Sequence, residues 1–134
     1  MTDKSRFAQG LAIRKAVLGT DYVARALDGA SEFSRPMQEL VTEYCWGTIW
    51  SRPGLDRRTR SLINLGILTA LNQHEELQAH VRGALTNGCT EQEIREVLLQ
   101  AAIYCGVPSA LAAFRVAEKT LQQEGAREAS QGTS

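Results

Sequence analysis

Glu76 and His80 stand one helical turn apart and give the chain its clearest means of moving a proton. Residues four apart share one face of an α-helix, so a helix through this stretch sets the carboxylate against the imidazole, with Gln73 a further turn back. His74, the other histidine, points elsewhere. A carboxylate beside an imidazole raises its basicity and fixes which ring nitrogen holds the proton, which suits general acid–base work near neutral pH. Two plainer readings stay open beside this one. The pair is also what a surface ion pair of ~0.3–0.5 kcal/mol looks like. His74-Glu75 opens the metalloprotease helix pattern, but Gln78 stands where its second histidine belongs, so no metal is expected.

A second group of residues suits anions. Arg57, Arg58 and Arg60 open a helix at the positive end of its dipole, where acidic residues are favoured, and Arg52 lies just upstream. Local rules are most often broken where function requires it. These guanidinium groups, with helix N-terminal amides, can cradle a carboxylate. Some will instead pair with the chain's acids, Arg57 first among them. Trp46 and Trp50 precede the Pro53-Gly54 turn, either as core anchors or as an apolar pocket wall.

Bulk properties narrow the class. A length of 134 residues suits one domain with a real core, and 43% hydrophobic with 22% charged residues is ordinary for a globular protein. Fifteen basic residues balance fifteen acidic ones, which argues against a nucleic-acid partner. No apolar run reaches membrane-span length and no signal-peptide pattern opens the chain, so the cytoplasm is the expected compartment. Cys45, Cys89 and Cys105 are odd in number and lack C-x-x-C spacing, and are expected as small buried residues.

The elements that must position these groups are helical throughout. Apolar spacing predicts helices over Ser5–Leu18 and, briefly, Asp21–Gly29, then one capped by Ser34 that carries Met37, Leu40, Val41, Tyr44 and Cys45 on one face. Asp56 opens a deeply buried helix to Leu71. The Glu76/His80 helix ends at Asn87-Gly88, and Thr90-Glu91-Gln92-Glu93 is a capping box for the next. That helix stops at Gly106-Val107-Pro108, before a last one over Ser109–Gln123. The fold expected is all-α, about six helices, one domain over residues 1–124 and a disordered polar tail over 125–134. Two nearly all-apolar helices exceed what one subunit covers, which points to an oligomer.

Several segments together resemble a known family: Glu43-Tyr44-Cys45-Trp46-Gly47-Thr48-Ile49-Trp50-Ser51-Arg52-Pro53-Gly54-Leu55, Arg58-Thr59-Arg60-Ser61-Leu62, Glu76-Leu77-Gln78-Ala79-His80, and Gln100-Ala101-Ala102-Ile103-Tyr104-Cys105-Gly106-Val107-Pro108. Over about Phe7 to Leu121 the chain resembles the gamma-carboxymuconolactone decarboxylases of the carboxymuconolactone decarboxylase and alkylhydroperoxidase D superfamily. The resemblance implies an alkylhydroperoxidase D-like helical fold, a homohexamer, and a place in the beta-ketoadipate pathway of aromatic degradation. The superfamily's peroxidase branch has thiols where this chain has Gln73 and Glu76, so its disulfide chemistry is not expected.

The substrate implied is a dianionic lactone that serves as its own electron sink, so no cofactor is expected. For that substrate the side-chain chemistry assigns His80 as proton donor, Glu76 as its orienting partner, Arg58 and Arg60 (with Arg52 as a third candidate) as carboxylate binders, and Trp46 or Trp50 as an apolar wall. A peroxidase partner, a non-catalytic scaffold, or a decarboxylase or isomerase of another ring acid are the alternatives.

Overall fold

A computed structural model of the chain describes residues 4–132. Every described element is helical: α1 (Lys4–Leu18), α2 (Thr20–Asp28), α3 (Arg35–Leu40), a π-helix (Val41–Ile49), α4 (Arg57–Ala70), α5 (His74–Thr86), α6 (Glu91–Cys105) and α7 (Val107–Gly132). Seven α-helices are thus described where about six were expected, and they fall into two compact units, one ending at Arg57 and the other beginning at Arg58.

In the first unit α1 lies directly on the π-helix. A methyl group on Gly10 would overlap the Thr42 carbonyl oxygen, and one on Gly47 would overlap the Arg6 carbonyl oxygen, so the two backbones touch where side chains are absent. The i→i+5 winding of the π-helix was not anticipated. Thr42, Trp46, Gly47 and Trp50 are buried, whereas Met37, Leu40 and Tyr44, expected on the inner face, are each more than half exposed. Ser34 occupies the N-cap position of α3 but makes no capping bond with its side chain. It exchanges hydrogen bonds with Ser31 instead, each hydroxyl accepting from the other residue's backbone N–H.

The second unit packs α4 to α7 around Leu65, Leu77, Val81, Ile94, Leu98, Ala113 and Ala117. Its turns follow local chemistry closely. After α4, Asn72 takes a left-handed conformation (φ 56°), while Gln73 N–H donates to Leu68 O and Asn72 N–H to Thr69 O. After α5, Gly88 does the same (φ 93°), with Cys89 N–H on Ala84 O and Gly88 N–H on Leu85 O. Both are Schellman turns, with asparagine and glycine where left-handed backbone is required. The Thr90/Glu93 capping box is present in both directions.

Three expectations fail here. Helix α4 buries only the Ser61, Leu65, Thr69 stripe, and Ile63, Ile67 and Leu71 face outward, because one apolar face suffices for this unit's core. Pro108 does not delay the last helix: α7 begins at Val107, with proline in the first turn where its missing N–H costs nothing. It also continues through Gly132, across residues expected as a disordered tail, since Ala126, Arg127, Glu128 and Ala129 favour helix.

Candidate active site

The second unit contains Glu76 and His80, the candidate proton-moving pair. The two-residue turn after α4 delivers Gln73 as N-cap of α5, where its carbonyl accepts from Leu77 N–H. Glu75 and Glu76 then sit at the positive end of the α5 dipole, where their charge is stabilised. His80 lies between Ala79 and Val81, both buried, and is half-buried with its Nδ1 out of solvent. Burial pushes its pKa down to about 4, and the charge of exposed Glu76 offsets this only partly. The expectation that Glu76 would leave His80 more basic than usual is therefore reversed. Removing the cation from water outweighs one solvated carboxylate.

The first turn of α4 carries the candidate anion-binding arginines of this unit, Arg58 and Arg60. Arg60 is half-buried with its Nε out of solvent. Arg58 forms an ion pair across to α6: its Nη2 meets Glu93 Oε2. The same glutamate's Oε1 accepts from Thr90 N–H, so one carboxylate serves the α6 cap and the guanidinium together. Two more bonds hold this turn from the α5–α6 connection. Asn87 Nδ2 donates to Ser61 Oγ at 2.9 Å, and the buried Cys89 thiol donates to the Arg58 carbonyl at 3.5 Å. With both side chains of the ion pair partly exposed, it adds at most about 1 kcal/mol to stability.

The first unit holds the remaining candidates. Arg52 is exposed after the π-helix, its backbone N–H on Ile49 O. Trp46 and Trp50 are 2% and 5% exposed and stack with centroids 4.5 Å apart at 22°. Within their own unit both indoles are thus packed as core anchors. Sequence reasoning missed Arg14, which is 6% exposed and donates from Nη1 to Thr42 Oγ1, with burial lowering its pKa. Its flanking alanines and aliphatic residues gave no sign that it would face inward. Of the cysteines, Cys89 is buried and Cys45 half-buried, but Cys105 is exposed at the end of α6, contrary to expectation. No group of three or more His, Cys, Asp or Glu among the described residues can hold a metal ion, and no described helix is long and apolar enough to cross a membrane.

Comparison with known proteins gives this arrangement a context. Residues 35–119 match the Carboxymuconolactone decarboxylase family. The chain is 53% identical over 115 residues to the nitrosuccinic acid decarboxylase of Metarhizium robertsii, covering 86% of this chain and 80% of that protein. It is 39% identical over 125 residues to the 4-carboxymuconolactone decarboxylase of Acinetobacter baylyi, covering 93% of each. A 4-carboxymuconolactone decarboxylase sequence from Pseudomonas putida is 36% identical over 47 residues, 35% of this chain and 98% of that one.

Proposed function

The chain belongs to the carboxymuconolactone decarboxylase family, and from that premise we propose that it is a cofactor-independent carboxy-lyase that converts 4-carboxymuconolactone to beta-ketoadipate enol-lactone in the cytoplasm, as part of protocatechuate degradation. The observation that carries this reading is the 39% identity to the Acinetobacter enzyme over nearly the full length of both chains. The residues of the second unit suit the chemistry. Loss of carbon dioxide from the ring leaves an electron pair that the ring double bond passes to the lactone carbonyl, giving a furan-like enolate. A proton must then return to the ring carbon beside that carbonyl. His80 donates it, oriented by Glu76. Arg58 and Arg60 hold the substrate's carboxylates by paired N–H donors.

His80 is neutral in the free chain, so it must gain its proton with the substrate. Two carboxylates arriving nearby favour the imidazolium and raise its pKa. Arg52 as a third carboxylate contact and Trp46 or Trp50 as an apolar wall rest on the family resemblance, each tested by its own substitution. We further propose a homohexamer. Its support is the outward-facing Ile63 and Ile67 on α4 and Leu71 just after it, together with Ile103 and Tyr104 on α6, the last two about four-fifths exposed.

A second reading is favoured by the 53% identity to the Metarhizium enzyme: nitrosuccinic acid as substrate. The chemistry is closely parallel. A dianion loses the carboxylate next to an acceptor group, the electron pair moves onto nitro oxygens, and carbon is reprotonated. Supplying each acid to the purified protein and measuring carbon dioxide release decides between them. The lactone is expected to give the higher kcat/KM. Preference for nitrosuccinic acid moves the assignment to that substrate, and release from neither overturns the decarboxylase reading.

A further inference from the structure

We propose that Glu93 is a positioning residue for substrate binding, holding the Arg58 guanidinium ready for a substrate carboxylate while its other oxygen caps α6. This rests on the reading of Arg58 as a carboxylate binder given above.

The geometry divides the labour within one side chain. Glu93 Oε1 accepts the Thr90 backbone N–H, and Oε2 meets Arg58 Nη2. The cap fixes the carboxylate, because Thr90 Oγ1 in turn accepts Glu93 N–H at 3.1 Å. The fixed carboxylate then limits where the guanidinium can go. A guanidinium has five N–H donors in a rigid fork. Glu93 Oε2 meets the guanidinium at Nη2, and no other residue is described as a partner of the Arg58 side chain. One carboxylate oxygen cannot use all five donors, so the fork can also take a second carboxylate. The backbone below is held as well, through the Cys89 thiol on the Arg58 carbonyl and Asn87 on Ser61.

An exposed arginine without such an anchor must be ordered at the moment of binding. A rotamer-rich side chain that is ordered beforehand spares that cost, which corresponds to roughly three- to tenfold in affinity. Glu93 also lowers the local positive potential, which opposes anion binding. That effect is small here, because the Arg58 and Glu93 side chains are 42% and 32% exposed and water screens them.

The substitution that separates these roles is Glu93→Gln. Glutamine still completes a capping box. With its oxygen kept on Thr90 N–H, its amide NH2 faces Arg58, so donor meets donor and the guanidinium loses its anchor. Steady-state kinetics on the acid the wild type consumes should show KM raised about three- to tenfold with kcat within about twofold. The thermal midpoint should fall by no more than about 5 °C, the most that losing one partly exposed ion pair costs. Arg58→Ala should raise KM at least as much, and adding Glu93→Gln to it should change nothing further, because Glu93 acts through Arg58. An unchanged or lower KM in Glu93→Gln, or additive effects in the double variant, overturns the proposal. If Arg58→Ala leaves KM unchanged while turnover persists, this proposal and the Arg58 assignment fail together, yet the decarboxylase reading stands. A wild type inactive on both acids is the distinct result that removes that reading itself.

Discussion

In the proposed reaction the decisive residue is His80, and the balance of forces on it runs against first expectation. Spacing alone joins Glu76 to His80, and the carboxylate's charge pulls the imidazole's pKa upward. Spacing could not show that His80 lies between buried neighbours, so that desolvation wins and the pKa falls to about 4. This has a kinetic consequence with a definite sign. If the imidazolium is the acid, kcat/KM, which reports the free enzyme, should fall about tenfold per pH unit as pH rises from about 5 toward neutrality. kcat, which reports the complex, should hold to higher pH, because bound carboxylates raise the pKa. A kcat/KM flat across that interval would contradict the acid role. Arg58 teaches the same lesson about partners. The sequence marks a row of arginines at a helix start, but Glu93 is 35 positions away and its capping role was all that local pattern revealed.

Among the elements, those governed by local chemistry were legible and those governed by packing were not. The Thr90 capping box and the Asn87-Gly88 turn follow from side-chain and backbone preferences within a few residues. The π-helix does not, because its winding is set by what it packs against. Gly10 and Gly47 allow α1 and the π-helix to touch backbone to backbone, and the buried guanidinium of Arg14 joins α1 to Thr42. Arginine on a helix normally reads as a solvent-facing residue, so this contact was invisible. Gly10→Ala should therefore destabilise the first unit by about 1–3 kcal/mol or more, as overpacking does. Tryptophan fluorescence during denaturation checks it, since both indoles stand at or just after the π-helix. A variant as stable as the wild type would mean that the two helices separate at little cost.

At the scale of the whole molecule, the all-α class and the family were readable from the sequence, whereas the division into two compact units was not. Helical periodicity reports which face of a segment is apolar, but not whether this chain or another copy covers it. Ile103 and Tyr104 illustrate this: both belong to a nearly all-apolar helix, and both lie open in the single subunit. If they meet a neighbouring copy, Ile103→Glu should dissociate the assembly, and light scattering should show a smaller mass with helicity retained. An unchanged mass would place the interface elsewhere. The account as a whole depends on His80 returning the proton. The most direct test is the rate of carbon dioxide release by His80→Ala on the acid the wild type consumes, with folding verified by circular dichroism. A rate lower by ~10²–10⁴-fold is predicted, and a folded variant that decarboxylates at nearly the wild-type rate would contradict it.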